Sequence, residues 1–342
     1  MYIFESQVEK LQQVGAMLLS PGSILSIPQL VVAFGMAFSF LAVRQRQRRG
    51  AARPRAILRA MLSPRFVLHR SVYADAIYYL INTFAVGGLI GWGFFSGGEM
   101  TQFITASMSR VLGPSAPSGA PMWELRVGIT IVAFLSYEFG YYVDHYLKHK
   151  IPALWELHKT HHTAEVLNPL TLFRVHPLDT LIFVDIVAMS GALFHGVYNY
   201  AIGQRVDTYT IAATNVIMVT FFFLIAHLQH SQFWIPLTGL PGRILLSPAH
   251  HQIHHSADPA HFNRNLGSFL AIFDWMFGTL HVPSRESPRL KFGAGEIGED
   301  PHSVTSLLID PVFNSMKALG LRPPSPRETP AEPSRTPSSP LA

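Results

Sequence analysis

Five long apolar stretches constrain this chain more than any other feature of its sequence. They run over residues 24–43, 76–95, 127–143, 178–202 and 209–226. Each contains roughly 17–25 residues, the length that an α-helix needs to cross the hydrocarbon core of a bilayer. We therefore predict an all-α, polytopic membrane protein with four or five transmembrane helices.

The third and fourth stretches leave the number of spans open. The third contains Glu138, and the fourth contains Asp179, Asp185 and His195. Because ionisable side chains are costly in the hydrocarbon core, both stretches can instead form buried helices at the membrane surface. The amino terminus has two acids and one lysine before any apolar run, so we do not expect a cleavable signal peptide.

The composition excludes several other classes of protein. Charged residues make up 14% of the 342 residues and hydrophobic residues 49%, whereas a typical soluble chain is roughly 25% charged. This balance argues against a disordered chain, a coiled coil and a charged nucleic-acid binder. We expect no nucleic acid among the partners.

The positive charge is concentrated in one loop. The net charge is +5, but residues 44–70 hold nine arginines and no acid, so the rest of the chain sums to −4. A basic loop between apolar spans is typical of the cytoplasmic side of a membrane. We therefore predict that residues 44–70 are cytoplasmic, that the loop 96–123 is external, and that the chain after residue 227 forms part of a cytoplasmic helical cap.

Three segments follow from this organisation. Residues 1–124 hold the amino-terminal spans and the basic loop, residues 125–285 form a catalytic domain, and residues 286–342 form a carboxy-terminal segment. From about residue 322 the chain is rich in Pro, Ser and Thr with almost no apolar content, which predicts a disordered tail.

Histidines gather in clusters that the predicted topology places on the cytoplasmic side. The chain has 17 histidines and no cysteine, so a metal site must use imidazole, carboxylate or amide ligands. The clustered histidines are His145, His149, His158, His161, His162, His227, His230, His250, His251, His254 and His255. Histidines at i and i+4, or at i, i+3 and i+4, project from one helix face, so we expect HxxxH to present two imidazoles together and HxxHH three.

So many imidazoles exceed the needs of one ion, and two ions with several histidines each is the economical interpretation. Iron, zinc, copper and nickel all suit such ligands. The zinc-protease motif HExxH, a nucleophile elbow and a P-loop are absent. A histidine-rich pair of metals at a membrane surface suits oxygen chemistry on unactivated C–H bonds, which needs a redox metal. We therefore favour iron.

The order HxxxH, HxxHH and a final HxxHH, together with the stretch SPAHHQIHHSADPAHFNRNLGSFLAIFDWMFGTL, resembles the sterol desaturase and fatty acid hydroxylase superfamily over residues 127–282. The resemblance implies an integral-membrane, non-haem di-iron enzyme that uses two Fe ions and O2 to hydroxylate or desaturate a lipid. The lipid can be a sterol, a fatty acyl chain, an ether lipid or an amino-lipid. The implied metal ligands are His145, His149, His158, His161, His162, His227, His230, His251, His254 and His255.

Several other residues are candidates to orient these histidines through hydrogen bonds to the ring nitrogen that does not bind the metal. They are His250, His176, Asp144 and Asp258, with Glu156, Asp179 and Asp274 as further carboxylates near the boxes. The chain shows no haem motif of a fused cytochrome b5 domain, so we expect a separate electron donor of cytochrome b5, ferredoxin or reductase type.

One alternative remains, a membrane metal-binding or metal-transport protein. Such a protein would place histidines inside its spans, where only His195 clearly lies. His195 is more simply a hydrogen-bonded packing residue, and His69, His281 and His302 are expected to be solvated.

Overall fold

The computed structural model describes residues 15–24, 26–83, 97–294 and 300–321. Its main helices are α1 (Ile27–Arg49), α2 (Pro54–Met61), α3 (Arg70–Ile81), α4 (Gly97–Leu112), α5 (Met122–Lys150), α6 (Pro152–His162), α7 (Pro177–Ile202), α8 (Val216–Gln229), α9 (Pro248–His254), α10 (Ile272–Phe277) and α11 (Val304–Ala318). Short helical turns lie at Pro64–Val67, Pro169–Phe173, Pro241–Ile244 and Pro259–His261. A small antiparallel hairpin pairs β1 (Thr210–Ile211) with β2 (Thr214–Asn215). The predicted helical class is therefore confirmed, with one minor hairpin.

Two of the described helices, α1 and α7, are long and apolar enough to cross a membrane. At 1.5 Å per residue they are roughly 35 Å and 39 Å long. Local chemistry sets the bounds of α7, because the Nδ1 atom of His176 accepts the backbone N–H of Leu178 at its start. At its end Gly203 adopts φ +66°, a left-handed conformation that glycine reaches without strain.

Helix α5 packs closely along α7 through small residues. A Cβ atom on Gly140 would lie 2.9 Å from the Cβ atom of Ser190 and 3.1 Å from the Cα atom of Val187. The Ser190 hydroxyl also donates to the backbone carbonyl of Ser136 at 2.7 Å. Small residues let apolar helices approach in this way and hydroxyls hold them together, so the two helices present their ends in fixed relative positions.

One end of the bundle carries the hairpin. The Thr214 hydroxyl donates to the Gly22 carbonyl at 2.8 Å just before α1. The backbone N–H of Tyr209 donates to Thr130 of α5, also at 2.8 Å. This end therefore joins the starts of α1 and α8 to the first half of α5.

The other end carries both the basic loop and the histidines. Ile57 and Met61 of α2 pack with Leu228, which lies between His227 and His230. Lys148, near the end of α5, forms an ion pair with Asp179 at the start of α7. The arginines of residues 44–70 and the histidine clusters thus share one end of the bundle.

The prediction that residues 96–123 form a loop was wrong in its first half. Residues 97–112 form α4, which packs on α7 so closely that a Cβ atom on Gly196 would lie 2.7 Å from Ile104. The Thr105 hydroxyl donates to the Gly196 carbonyl at 3.1 Å. Gly, Ser and Pro suggested an external loop in the sequence, but here Thr105 meets the small residue Gly196 of α7 in a close helix contact.

The fifth predicted span was also wrong in part. Residues 210–215 form the hairpin, and the helix begins only at Val216, where the Asn215 side chain accepts the backbone N–H of Ile217. Helix α8 is roughly 21 Å long, shorter than the ~30 Å hydrocarbon core. It contains a π-helical segment at Phe222–Ala226. The second predicted span is described only as far as residue 83, and the predicted tail lies outside the described residues.

Candidate dimetal site

Nine of the ten predicted ligands form two groups at the shared end of the bundle. Within each group the nitrogen atoms lie within 4.8 Å of one another. The five-histidine group contains His145, His149, His158, His162 and His254. The four-histidine group contains His161, His230, His251 and His255.

Helical spacing explains how the boxes divide between the groups. His145 and His149 of α5, four residues apart, point into the same group, and so do His158 and His162 of α6. His161, three residues after His158, enters the other group. Residues four apart share a face while the third is turned aside. The expectation that HxxHH presents three imidazoles together was therefore wrong, because each HxxHH box contributes to both groups.

The five-histidine group is held from outside through Nδ1 atoms. His145 donates from Nδ1 to the Leu266 carbonyl at 2.8 Å, and His254 to the Arg264 carbonyl at 2.9 Å. His158 contacts the Asp179 carboxylate at 3.1 Å. With Nδ1 so occupied, Nε2 carries the lone pair, which is the arrangement that orients histidines around metals.

All five Nε2 atoms of this group are buried and lack a hydrogen-bond partner among the described residues. An isolated buried polar atom is costly, and five such atoms facing one point are unsatisfied unless an ion binds there. The donor set of this group fits a metal ion.

A loop after α9 supplies the carbonyls that orient the histidines. The Asp274 carboxylate accepts the backbone N–H groups of Leu266 and Gly267 at 2.7 and 2.8 Å. Glu138, from within α5, accepts those of Phe269 and Leu270 at 3.0 and 2.8 Å. Two buried carboxylates thus hold a loop whose carbonyls face the site, and Glu138 acts there rather than as a surface residue.

The four-histidine group brings its Nε2 atoms close together. They are 3.1 Å apart between His161 and His230, 2.8 Å between His230 and His251, and 3.1 Å between His251 and His255. Two nitrogens bound to one ion at roughly 2.1 Å and at right angles lie about 3.0 Å apart. The spacing of this group fits a metal ion as well.

Burial keeps these imidazoles neutral, which leaves their lone pairs free for a metal. Burial and the neighbouring imidazoles lower the pKa of His230 and of His254 to about 3. The same two causes lower the pKa well below its usual value at His145, His149, His161, His162, His251 and His255.

A cavity of about 1000 Å³ connects the histidines with the interior of the bundle. At one end it is lined by histidines of both groups, including His158 and His230, and at the other by the hairpin that follows residue 209. Phe183, Met218 and Phe222 line its sides. An elongated apolar molecule can therefore lie between the helices with one end beside the candidate metal sites.

The remaining predicted residues have other surroundings. His227 lies outside both groups, although it is buried and both its nitrogens lack a hydrogen-bond partner among the described residues. His250 takes part in a capping box with Ser247 and donates from Nε2 to the Gly242 carbonyl. His176 caps α7, and Asp258 caps the turn at Pro259–His261. None of the last three contacts a histidine of either group through a described hydrogen bond.

Asp144 is connected to the proposed ligand His158 through Lys148, a residue that the sequence did not single out. Its Oδ2 atom pairs with Lys148 at 2.7 Å, and Lys148 also pairs with Asp179, the partner of His158. All three charged residues are buried. The spacing of Asp144 and Lys148 at i and i+4 was the available signal, but the pairing across to α7 was not visible in the sequence.

A third group contains His69, Glu165 and His302, so the prediction that His69 and His302 are solvated was wrong. The Nδ1 atom of His69 accepts a hydrogen bond from the backbone N–H of Ser71 at 3.2 Å. The Nδ1 atom of His302 accepts a hydrogen bond from the Arg174 guanidinium, also at 3.2 Å. With Nδ1 accepting, a neutral imidazole carries its proton on Nε2. The His302 Nε2 atom donates to Glu165 at 3.2 Å. This group is a hydrogen-bonded contact and not a set of free lone pairs.

Comparison with known families agrees with this geometry. Residues 130–279 match the fatty acid hydroxylase family, a range that includes both groups of histidines. Over this region the chain is similar to the sterol desaturase and fatty acid hydroxylase superfamily. This confirms the resemblance seen in the boxes. No solved structure matches the chain.

Curated relatives are similar over the same region. Alkylglycerol monooxygenase from Danio rerio is 26% identical over 47% of this chain and 32% of its own length. Ornithine lipid hydroxylase OlsE from Rhizobium tropici is 29% identical over 50% and 46%. A putative Delta(7)-sterol-C5(6)-desaturase 2 from Arabidopsis thaliana is 27% identical over 45% and 48%. The chain thus spans a third to a half of the length of these relatives.

Proposed function

We propose that this chain is a membrane-bound, O2-dependent di-iron oxidoreductase that hydroxylates or desaturates a lipid. The observation that carries the proposal is the pair of histidine groups at the end of an apolar cavity. The names of the relatives, which include an alkylglycerol monooxygenase, an ornithine lipid hydroxylase and a putative sterol desaturase, support a lipid substrate.

The two histidine groups would each hold one iron, which supplies the redox chemistry that C–H oxidation requires. In hydroxylation one oxygen atom of O2 enters a C–H bond and the other leaves as water, which takes two electrons and two protons. In desaturation two hydrogens leave the lipid and both oxygen atoms leave as water, again with two electrons and two protons. A separate electron donor is needed for either reaction.

Residues around the two histidine groups orient the proposed ligands, and the walls of the cavity shield the reacting carbon from water. Asp179 fixes the ring of His158, and the Arg264 and Leu266 carbonyls fix His254 and His145. The aromatic and aliphatic walls of the cavity exclude water from the reacting carbon. The chain thus binds the lipid, orients the ligands and keeps the site dry.

We further propose a multi-pass membrane protein with four or five spans whose histidine cap faces the cytoplasm. The shared position of the arginine-rich loop and the histidines at one end of the bundle supports this orientation. Single cysteines at Ser63, Ser115 and Ser338 test it, because the chain contains none. In intact cells an impermeant thiol reagent should label only Ser115→Cys. Labelling of Ser338→Cys from outside would contradict the topology.

The activity itself is tested by lipid analysis of cells with and without the protein under ¹⁸O2. We expect one lipid class to gain a single labelled oxygen atom or a double bond in a manner that depends on the protein. The same cells expressing His254→Ala are the control and should show no product. A lipid profile unchanged by the wild-type protein with its electron donor present would contradict the proposal.

A further inference from the structure

The cavity has a charged cluster in its wall beside the candidate metal sites. Asp144, Lys148 and Asp179 all line it, next to His145 and His158. The Lys148 ammonium contacts the Asp144 carboxylate at 2.7 Å, and it also contacts the carboxylate and the backbone carbonyl of Asp179. Its three protons are therefore matched by three acceptors.

Two buried carboxylate oxygens of the cluster, Asp144 Oδ1 and Asp179 Oδ1, have no hydrogen-bond partner among the described residues, but Asp179 Oδ1 still forms an ion pair with Lys148. The Oδ2 atom of Asp144 contacts Lys148. The Oδ2 atom of Asp179 contacts His158, and its Oδ1 atom contacts Lys148. The Oδ1 atom of Asp144 is buried and has no hydrogen-bond partner among the described residues. Two carboxylates and one ammonium sum to −1, so the unused oxygen lies in a wall that attracts a donor or a cation and repels an anion.

The rest of the cavity is suited to hydrocarbon. Ala133, Tyr137 and Tyr141 line it along α5, ahead of Lys148. Fifteen residues of helix separate Ala133 from Lys148, or roughly 22 Å at 1.5 Å per residue. A long chain can lie along this length with its polar end at Asp144 and its neighbouring carbons beside the two histidine groups.

Resting on the proposed function, we infer that Asp144 binds the polar head of the substrate, accepting a hydrogen bond from a hydroxyl or an ammonium group through its Oδ1 atom. The substrate is then an amphiphile with a donor close to the carbon that is oxidised, and its hydrocarbon extends along α5 away from the metals. In the metal-free protein an unesterified fatty acid should bind less tightly than the amine, because its carboxylate would face the net negative charge of the cluster.

Binding tests this inference without any turnover. Purified, metal-free full-length protein in detergent is loaded with radiolabelled cetylamine, which is displaced by unlabelled cetylamine, cetyl alcohol, cetyl methyl ether or palmitate. The ether keeps the oxygen but has no donor. A hydrogen bond to a charged group corresponds to about a tenfold to hundredfold change in affinity, so the amine should bind at least about tenfold more tightly than the ether, and the alcohol should lie between them.

Two variants assign the preference to the carboxylate. Asp144→Asn removes the charge and should bring the amine to within about twofold of the ether, whereas Asp144→Glu should retain a preference for the amine. Glu124→Gln is the matched control, since it removes one acid from the exposed start of the same helix, and it should bind every ligand as the wild type does. Equal binding of amine and ether by the wild type, an equal loss for both in Asp144→Asn, or palmitate binding as tightly as cetylamine would overturn the inference.

The position of the new oxygen atom separates this inference from the proposed function. With an electron donor, mass spectrometry should locate the oxygen or double bond within a few carbons of the polar head. Oxidation near the methyl end would contradict the assignment of Asp144 and leave the oxidoreductase intact. A preserved amine preference with no oxidised lipid under any donor would contradict the oxidoreductase while the binding role of Asp144 stands.

Discussion

Helices α6 and α9 contribute histidines to both groups, yet the two groups differ in what supports them. In the five-histidine group, His145, His158 and His254 each direct Nδ1 to an outer acceptor. In the four-histidine group the Nδ1 atoms of His230 and His255 are buried without a partner among the described residues. The first group is fixed from outside, and the second is fixed mainly by contacts among its own members.

This difference bears on how each group would hold an ion. An outer acceptor sets the tautomer and ring orientation before the metal arrives and makes the ligand more basic. The five-histidine group is therefore organised in advance, whereas the rings of the four-histidine group can still change tautomer. We infer that the first ion is the more tightly held and the second the more readily exchanged.

The largest expected effect comes from removing one ligand from either group. His254→Ala and His161→Ala should each reduce turnover to background and reduce the metal content from two ions per chain to about one. Each variant loses the ion of its own group, because binding free energy is shared among the ligands. Elemental analysis of purified protein and lipid product formation measure the two effects. Two ions retained in both variants would show that these histidines are not ligands.

Asp179→Asn should weaken the five-histidine group alone. It removes the charge that orients His158, and loss of such an outer partner typically costs about 10-fold to 100-fold in metal affinity. Asp185→Asn, on the same helix and outside the described contacts with histidine, is the matched control and should change neither affinity. Metal titration monitored by competition with a chelator measures both. An equal loss at the two groups would remove the distinction drawn between them.

Chelation should then separate the groups in the wild-type protein. On dialysis against a chelator we expect the metal to leave in two phases, with the ion of the four-histidine group leaving first, because an outer partner typically adds about 10-fold or more to metal affinity. Repeating the dialysis with His161→Ala, which should hold only the five-histidine ion, assigns the phases. A single phase in the wild type would mean that the outer acceptors add no stability.

His227 is the one predicted ligand that lies outside both histidine groups. It lies three residues before His230 in the sequence and has two buried nitrogens without a described partner. If it ligates once metal binds, His227→Asn should keep part of the metal and activity, since an amide oxygen can also ligate, while His227→Ala should lose more. Wild-type behaviour of both variants in metal content and turnover would leave His230 alone as the ligand from this segment.

Much of the site could be predicted because its spacing is local. The pairs His145 with His149 and His158 with His162 followed from helix geometry, and nine of the ten proposed ligands do come together. What spacing could not predict was the outer support. The acceptors for His145 and His254 are backbone carbonyls, which every residue possesses, so no residue type marks them.

The parts of the fold that were mispredicted share a physical cause. Residues 97–112 and 209–215 were judged by composition, but whether small and polar residues form a helix contact, a loop or a hairpin depends on the surface that they meet. Glu138 was noted only as an ionisable residue within an apolar stretch, and Lys148 was not noted at all, because their structural roles depend on partners more than 30 residues away. Composition identified the class of protein and local spacing identified the proposed ligands, whereas long-range contacts determined the rest.

The smallest expected effect concerns the group of His69, Glu165 and His302, which resembles a metal site by distance alone. Both Nδ1 atoms accept hydrogen bonds from groups that can only donate, the Ser71 backbone and the Arg174 guanidinium. Coordination through Nε2 would require either imidazole to give up its remaining proton, or Nδ1 to be protonated against its donor.

The wild-type protein should therefore bind two ions tightly and not three, even when zinc is titrated in excess. His302→Ala should leave both ions in place and turnover within about twofold of wild type, because Arg174 keeps its contacts with Asp75 and the Pro301 carbonyl. Calorimetric titration of wild type and His302→Ala decides the matter, since a third tight zinc ion that disappears in the variant would mean that Nε2 is free after all.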